Sequence, residues 1–176
     1  MIFEFEGKTP GAGKDTYISE LATVIGDVRI GNNCYIGHGA ILRGDYGSIE
    51  IEDGTAVEEG VIIHAPPGEL SSIGLKVTLG HGAIIHSKKI GDFAVIGMGA
   101  VLSIRSEVME RSIIAEGGIV KQNQVIPAGV VAAGNPVRIV REVSKKDEAQ
   151  WNYGKNLYID LAKRYLKNPM KPLDKI

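Results

Sequence analysis

The chain has 176 residues, 20 basic and 21 acidic side chains, a formal net charge of −1 and a pI near 6.4. This composition suits one globular domain with a small appendage, and no basic run interleaved with aromatics marks a nucleic-acid binder. The apolar stretches fall well short of the roughly 18 residues of a membrane span, and the opening MIFEFEGKTP is acidic where a secretory signal needs a basic start, so the expected compartment is the cytoplasm.

Along the chain, aliphatic residues recur every six positions: Ile18, Val24, Ile30, Ile36 and Leu42. After a three-residue extension the series resumes as Ile51, Val57 and Ile63, and after a second insertion as Ile73, Leu79 and Ile85. One residue is then missing, and Ile90, Ile96, Leu102, Val108, Ile114 and Val120 complete the run. Gly follows the aliphatic in IGD, IGN, IGH, IGL, LGH and IGM. Internal repeats of this kind mark solenoids. A period of six is poor for an α-helix and suits a left-handed parallel β-helix, in which each hexapeptide makes one side of a triangular prism. Three hexapeptides make a coil, and successive coils stack about 4.8 Å apart. The 23 glycines and 6% aromatics fit tight corners around a core of small aliphatics. The prism is expected over 1–140, with the repeat fading after Val120 through VIPAGVVAAGNPVRIV.

Over 141–176 the spacing predicts a helix that caps the prism. Ser144 with Asp147 three residues on resembles a capping box. Leu157, Leu161 and Tyr165 continue at helical spacing, with Trp151 and Tyr158 nearby, and Pro169 ends the pattern.

The repeat also fixes where the histidines lie. With Ile63 on side A, Ile73 falls on B, Leu79 on C and Ile85 on A one coil later. His64 and His86 therefore share a repeat position on stacked coils, a spacing that suits two imidazoles meeting at one ion with Zn–N of about 2.1 Å. Arg43 joins the same column. His81 sits two residues past Leu79, on another edge. A threefold assembly can bring the side-C edge of one subunit beside the side-A corner of the next. The expectation is a homotrimer with two ligands from one subunit and one from its neighbour. Three imidazoles with an open fourth position form a catalytic zinc arrangement. His38, in IGHGA, reads as an ordinary corner residue. Cys34 is the only cysteine, which excludes an intrachain disulfide and a cysteine-rich metal site.

The stretches LRGDYGSIEI, IIHAPPGE, VTLGHGAIIH, IGMGAVL and AAGNPVRIVRE resemble the γ-class carbonic anhydrases and their relatives over nearly the whole chain. The resemblance implies Zn²⁺, with Fe²⁺ or Co²⁺ as alternatives, at His64, His81 and His86. It also implies reversible hydration of CO₂ to bicarbonate. Metal binding lowers the pKa of water toward neutrality and makes hydroxide available to attack CO₂. Arg43 and Asp45 match a family pair suited to fixing the trimer register across subunits, and Tyr158 matches a tyrosine that hangs over the neighbouring site.

The sequence also departs from the pattern. Where the family has Asn-x-Gln before the first histidine, this chain has Ala56 and Glu58, and Glu58 replaces a residue thought to orient the metal-bound hydroxide. Ser87-Lys88 stands where the family often has Gly-Cys. The acidic loop that carries a proton-shuttle glutamate in the most active members is missing, because Tyr46 follows Asp45 directly; His38 and Glu59 are substitutes that nothing in the sequence singles out. Two other readings therefore stand beside carbonic anhydrase: an acyltransferase or thioesterase on the same prism, and a metal-binding trimer with weak or no turnover.

Overall fold

A computed structural model describes residues 1–173, and the last three residues of the expected C-terminal appendage lie outside them. The hexapeptides fold as read, into a left-handed parallel β-solenoid with three faces and a single C-terminal helix.

Each face is a ladder of short parallel strands whose inward aliphatics stack in register. On face A, Val24 pairs with Leu42, Leu42 with Ile63, Ile63 with Ile85, Ile85 with Leu102, and Leu102 with Val120. Face B runs from Ile30 through Ile51, Ile73, Ile90 and Val108 to Ile126. Face C runs from Ile18 through Ile36, Val57, Leu79, Ile96 and Ile114 to Ala132. All but Ile18 are buried in one continuous core. Burying each of the larger aliphatics contributes roughly 1.5–3 kcal/mol relative to exposure.

The repeat does not fade after Val120. Ile126 and Ala132 hold the six-residue period for two more sides. The pattern is hard to see there because Pro127 follows Ile126 where glycine usually stands, and the next inward residue is only an alanine. Strand Val137–Glu142 then folds back antiparallel on Val130–Gly134 and closes that end of face C.

All three breaks in the period fall at the corner between faces A and B. The first is bridged by the long strand Ile41–Ile51, which runs from one face to the next. The second is the Ala65–Glu69 segment after His64, and the deletion follows His86. Insertions in a solenoid map to loops on one side, often the binding side; here they flank the histidine pair.

Helix α1 spans Lys145–Lys167. Ser144 caps it, and Asp147 completes the capping box by accepting from the Ser144 backbone N–H at 2.8 Å. The helix lies along face C, but with a different stripe from the one its leucines suggest. Leu157 is 50% exposed, whereas Lys155 and Ala162 are buried, and Tyr158, Leu161 and Tyr165 pack on the prism. Among the described residues no helix is long and apolar enough to cross a membrane.

Candidate metal centre

At the end of strand Ile62–His64 the chain leaves face A, and Arg43 lies in register with His64 on the neighbouring coil. Because Ile63 pairs with Ile85, the next residue in each coil is a histidine. The His64 and His86 rings meet edge to face, with centroids 5.0 Å apart. His64 Nε2 is buried and has no hydrogen-bond partner among the described residues. The Asp45 carboxylate lies near it, with Oδ1 at 3.7 Å, beyond hydrogen-bonding distance. Burial pushes both histidines below their ordinary pKa; Arg43 and His86 add to the effect on His64, and Arg43 to that on His86. Both rings are therefore neutral at pH 7, the form that ligates metal.

Arg43 donates to Asp45 Oδ2 from Nε at 3.2 Å and from Nη2 at 3.1 Å. The pair expected across subunits thus closes within one chain. Burial opposes ionisation of Asp45, but the Arg43 guanidinium and the Tyr46 N–H at 3.0 Å hold its carboxyl below the usual range. Gly44 between them is required, because a Cβ there would run into the Asp27 carbonyl of the preceding coil.

The third histidine lies on the edge between faces C and A. His38, Glu59, His81 and Met98 form a column there, tied by Gly60 N–H to His38 O at 3.1 Å, Gly82 N–H to Glu59 O at 2.9 Å, and Gly99 N–H to His81 O at 2.9 Å. Among the described residues, no group of three His, Cys, Asp or Glu side chains comes close enough within one chain to hold an ion. The repeat count had separated His81 from the other two in the same way.

His81 is flanked by carboxylates, with Glu58 Oε2 3.1 Å from Nε2 and Glu59 Oε2 2.8 Å from Nδ1. Glu58 Oε2 also accepts from the His81 backbone N–H at 3.1 Å. Burial pushes the Glu58 carboxyl above its ordinary value, with His81 and the Tyr158 hydroxyl pulling the other way. Tyr158, on α1, interacts with Glu58 of its own chain and packs 5.2 Å from the Tyr35 ring; burial and the carboxylate raise its phenol. Ala56, at the other departure, is buried on face C.

Three features escaped the sequence reading. His38 is no ordinary corner residue, since its Nδ1 lies 2.6 Å from Ser19 Oγ and its Nε2 3.3 Å from the Tyr165 hydroxyl. Lys155 is 3% exposed and donates to Thr78 Oγ1 and Ala94 O, each at 3.2 Å. Finally, the outward positions of face A are also aliphatic: Ile41, Ile62, Ile84, Val101 and Ile119 pair in sequence across the ladder, and among the described residues the one helix packs on face C instead. That stripe was legible, because each residue immediately precedes an inward aliphatic of the same face.

Residues 13–44 match the family model described as bacterial transferase hexapeptide (six repeats). The chain is 34% identical over 175 residues to a protein of Arabidopsis thaliana named γ carbonic anhydrase 2, mitochondrial, covering 96% of this chain but 63% of that protein, so it spans less than two thirds of that relative's length. It is 37% identical over 150 residues to the carnitine operon protein CaiE of Proteus sp. (strain LE138), covering 85% of this chain and 76% of that one. The crystal structure of a hexapeptide transferase family protein from Anaplasma phagocytophilum superposes with a TM-score of 0.88 at 30% identity, covering 93% of this chain and 97% of the other. With the stacked hexapeptides and these relatives together, the chain belongs to the γ-carbonic-anhydrase-like family of hexapeptide-repeat proteins.

Proposed function

We propose that three copies of the chain assemble about a threefold axis and hold three divalent metal ions between them, catalysing reversible hydration of CO₂. Each ion would be held by His64 and His86 of one subunit and His81 of the next. The observation that carries this reading is the pair of adjacent neutral imidazoles, one with a buried, unpartnered Nε2. A buried polar atom without a partner is costly unless something absent from the single chain satisfies it. An all-imidazole donor set fits Zn²⁺, and Fe²⁺ or Co²⁺ less selectively.

The aliphatic outward stripe of face A supports the assembly. Such a stripe on an uncovered sheet face favours a protein partner, and face A ends at the histidine pair. A zinc ion held there would supply Lewis acidity and a nucleophilic oxygen at neutral pH. Arg43 keeps the nearby histidines neutral and Asp45 ionised. Glu58, buried and with a raised pKa, lies against the His81 nitrogen that would face the ion, and Tyr158 interacts with that carboxyl.

Metal analysis joined to stopped-flow CO₂ hydration tests the proposal. The purified protein is expected to carry about one zinc per subunit and to hydrate CO₂ above the buffer rate, with both lost in His64→Ala and in His81→Ala. An assembled protein with far less metal and no hydration overturns it. Turnover of an acyl-coenzyme A by metal-free protein would favour the acyltransferase or thioesterase reading, which the similarity to the hexapeptide transferase family protein of Anaplasma phagocytophilum supports. Metal without turnover would leave a metal-binding trimer.

A further inference from the structure

His81 is largely exposed in the single chain, yet both its ring nitrogens face carboxylates. The two carboxylates are anchored differently. Glu58 interacts with His81 itself and with Tyr158 on the helix. Glu59 uses one oxygen on His81 Nδ1 at 2.8 Å, and its other oxygen accepts from the Tyr35 hydroxyl at 2.6 Å. Tyr35 is 1% exposed and is wedged between strand and helix, 5.6 Å from the Tyr17 ring and 5.2 Å from the Tyr158 ring. Tyr35 cannot shift without opening the packing of α1 on face C, so Glu59 is fixed from behind.

We infer that Tyr35 and Glu59 are positioning residues that hold His81 in one orientation and one tautomer, with Nδ1–H donated to Glu59 and Nε2 left as the atom offered to an ion shared with the next subunit. This inference rests on the metal-site reading above. The physical reason is general. A histidine ligand whose far nitrogen donates to a carboxylate has its tautomer set and its basicity raised, and losing that partner weakens metal binding. The need is greatest at His81, the ligand contributed across the subunit boundary. His64 and His86 are held by burial and by each other. His81 projects from a corner and has only its carboxylate partners to keep it aimed. An ion arriving at Nε2 would replace Glu58 there and leave the Glu59–Tyr35 bracket intact. In sequence the device is invisible, because Glu59 beside Glu58 reads as surface charge and Tyr35 as an aromatic on an outward position.

The test is zinc affinity by chelator competition on the full-length protein for wild type, Glu59→Gln and Tyr35→Phe, with assembly mass and the visible absorption of the Co²⁺-loaded protein followed in parallel. Glu59→Gln is expected to weaken zinc binding by about 10- to 100-fold. Tyr35→Phe is expected to act in the same direction but less strongly. Both variants should keep the wild-type mass while the Co²⁺ bands change, which a merely structural role would not produce. If Tyr35→Phe does not fold, Glu59→Gln decides alone. Wild-type affinity and an unaltered Co²⁺ spectrum in the variants overturn the inference while leaving the site intact. A wild-type protein that takes up no zinc overturns the site reading itself and this inference with it.

Discussion

Glu58 is 6% exposed and takes both the backbone N–H and the Nε2 of His81 on one oxygen. A buried carboxyl at that point has two opposed consequences for hydration. As an anion it can compete for the atom that would bind metal, and as a base it can take a proton from the reacting water. Which effect dominates depends on the neighbouring positions, and the face-C partner two residues earlier is the small Ala56, which offers no side-chain hydrogen bond to share the load. We expect the competing role to dominate. The double substitution Glu58→Gln with Ala56→Asn should raise kcat/KM for CO₂ hydration by about tenfold, since a neutral amide keeps the hydrogen bonds without the charge. Stopped-flow hydration at pH 7.5 measures this. A fall of about a hundredfold would instead identify Glu58 as the working base. The positions of the three histidines were readable from the sequence because a strict period fixes direction as well as spacing. The partners of Glu58 and Glu59 were not, because they depend on a tyrosine one coil back and on a helix about a hundred residues downstream.

Helix α1 shows why its start was legible and its buried face was not. Ser144 and Asp147 form the capping box their spacing announced. The buried face is harder to read because it is built around Lys155, a residue type almost never fully buried without a partner, while Leu157 faces water. Burial of Lys155 beneath α1 lowers its pKa to about 7 from an ordinary 10.5, with Glu58 pulling weakly the other way. The sign follows from proton counts. Above pH 7 the folded chain gives up this proton while the unfolded chain keeps it up to about 10.5, so the unfolded state binds more protons and stability rises with pH across that window. The limiting slope is about 1.4 kcal/mol per pH unit for one group. Lys155→Met should therefore be more stable than wild type near pH 7, and its advantage should shrink steadily toward pH 10. The lost hydrogen bonds to Thr78 and Ala94 offset part of the gain. Denaturant titrations at three pH values across the window give the comparison; parallel stability curves for the two proteins would show that the amine is not buried as a strained base.

The three faces of the prism have different fates, and the difference points to assembly. Face C is covered by α1. Face B turns Arg29, Glu50, Ser72, Lys89 and Glu107 outward in register, a row suited to water. Face A turns Ile41, Ile62, Ile84, Val101 and Ile119 outward, with Ile84 38% exposed. The histidine pair stands at one end of face A and His81 at the other, so a neighbour seated on that face brings the two halves of a site together. This geometry gives a test in which neither half works alone. His64→Ala subunits lack the pair but supply His81, and His81→Ala subunits lack the bridging ligand but supply the pair. Arranged in a ring of three, every mixed trimer contains one junction at which an intact pair meets an intact His81. If the two variants are co-expressed and assemble at random, three quarters of the trimers are mixed, so about a quarter of the wild-type zinc and hydration should return. Each variant alone should give close to none. Recovery must come from shared sites, since no single subunit in the mixture carries all three ligands. A mixture as inactive as its parents, with mixed trimers demonstrated by co-purification through an affinity tag carried on one variant only, would place all three ligands in one chain and rule out the intersubunit site.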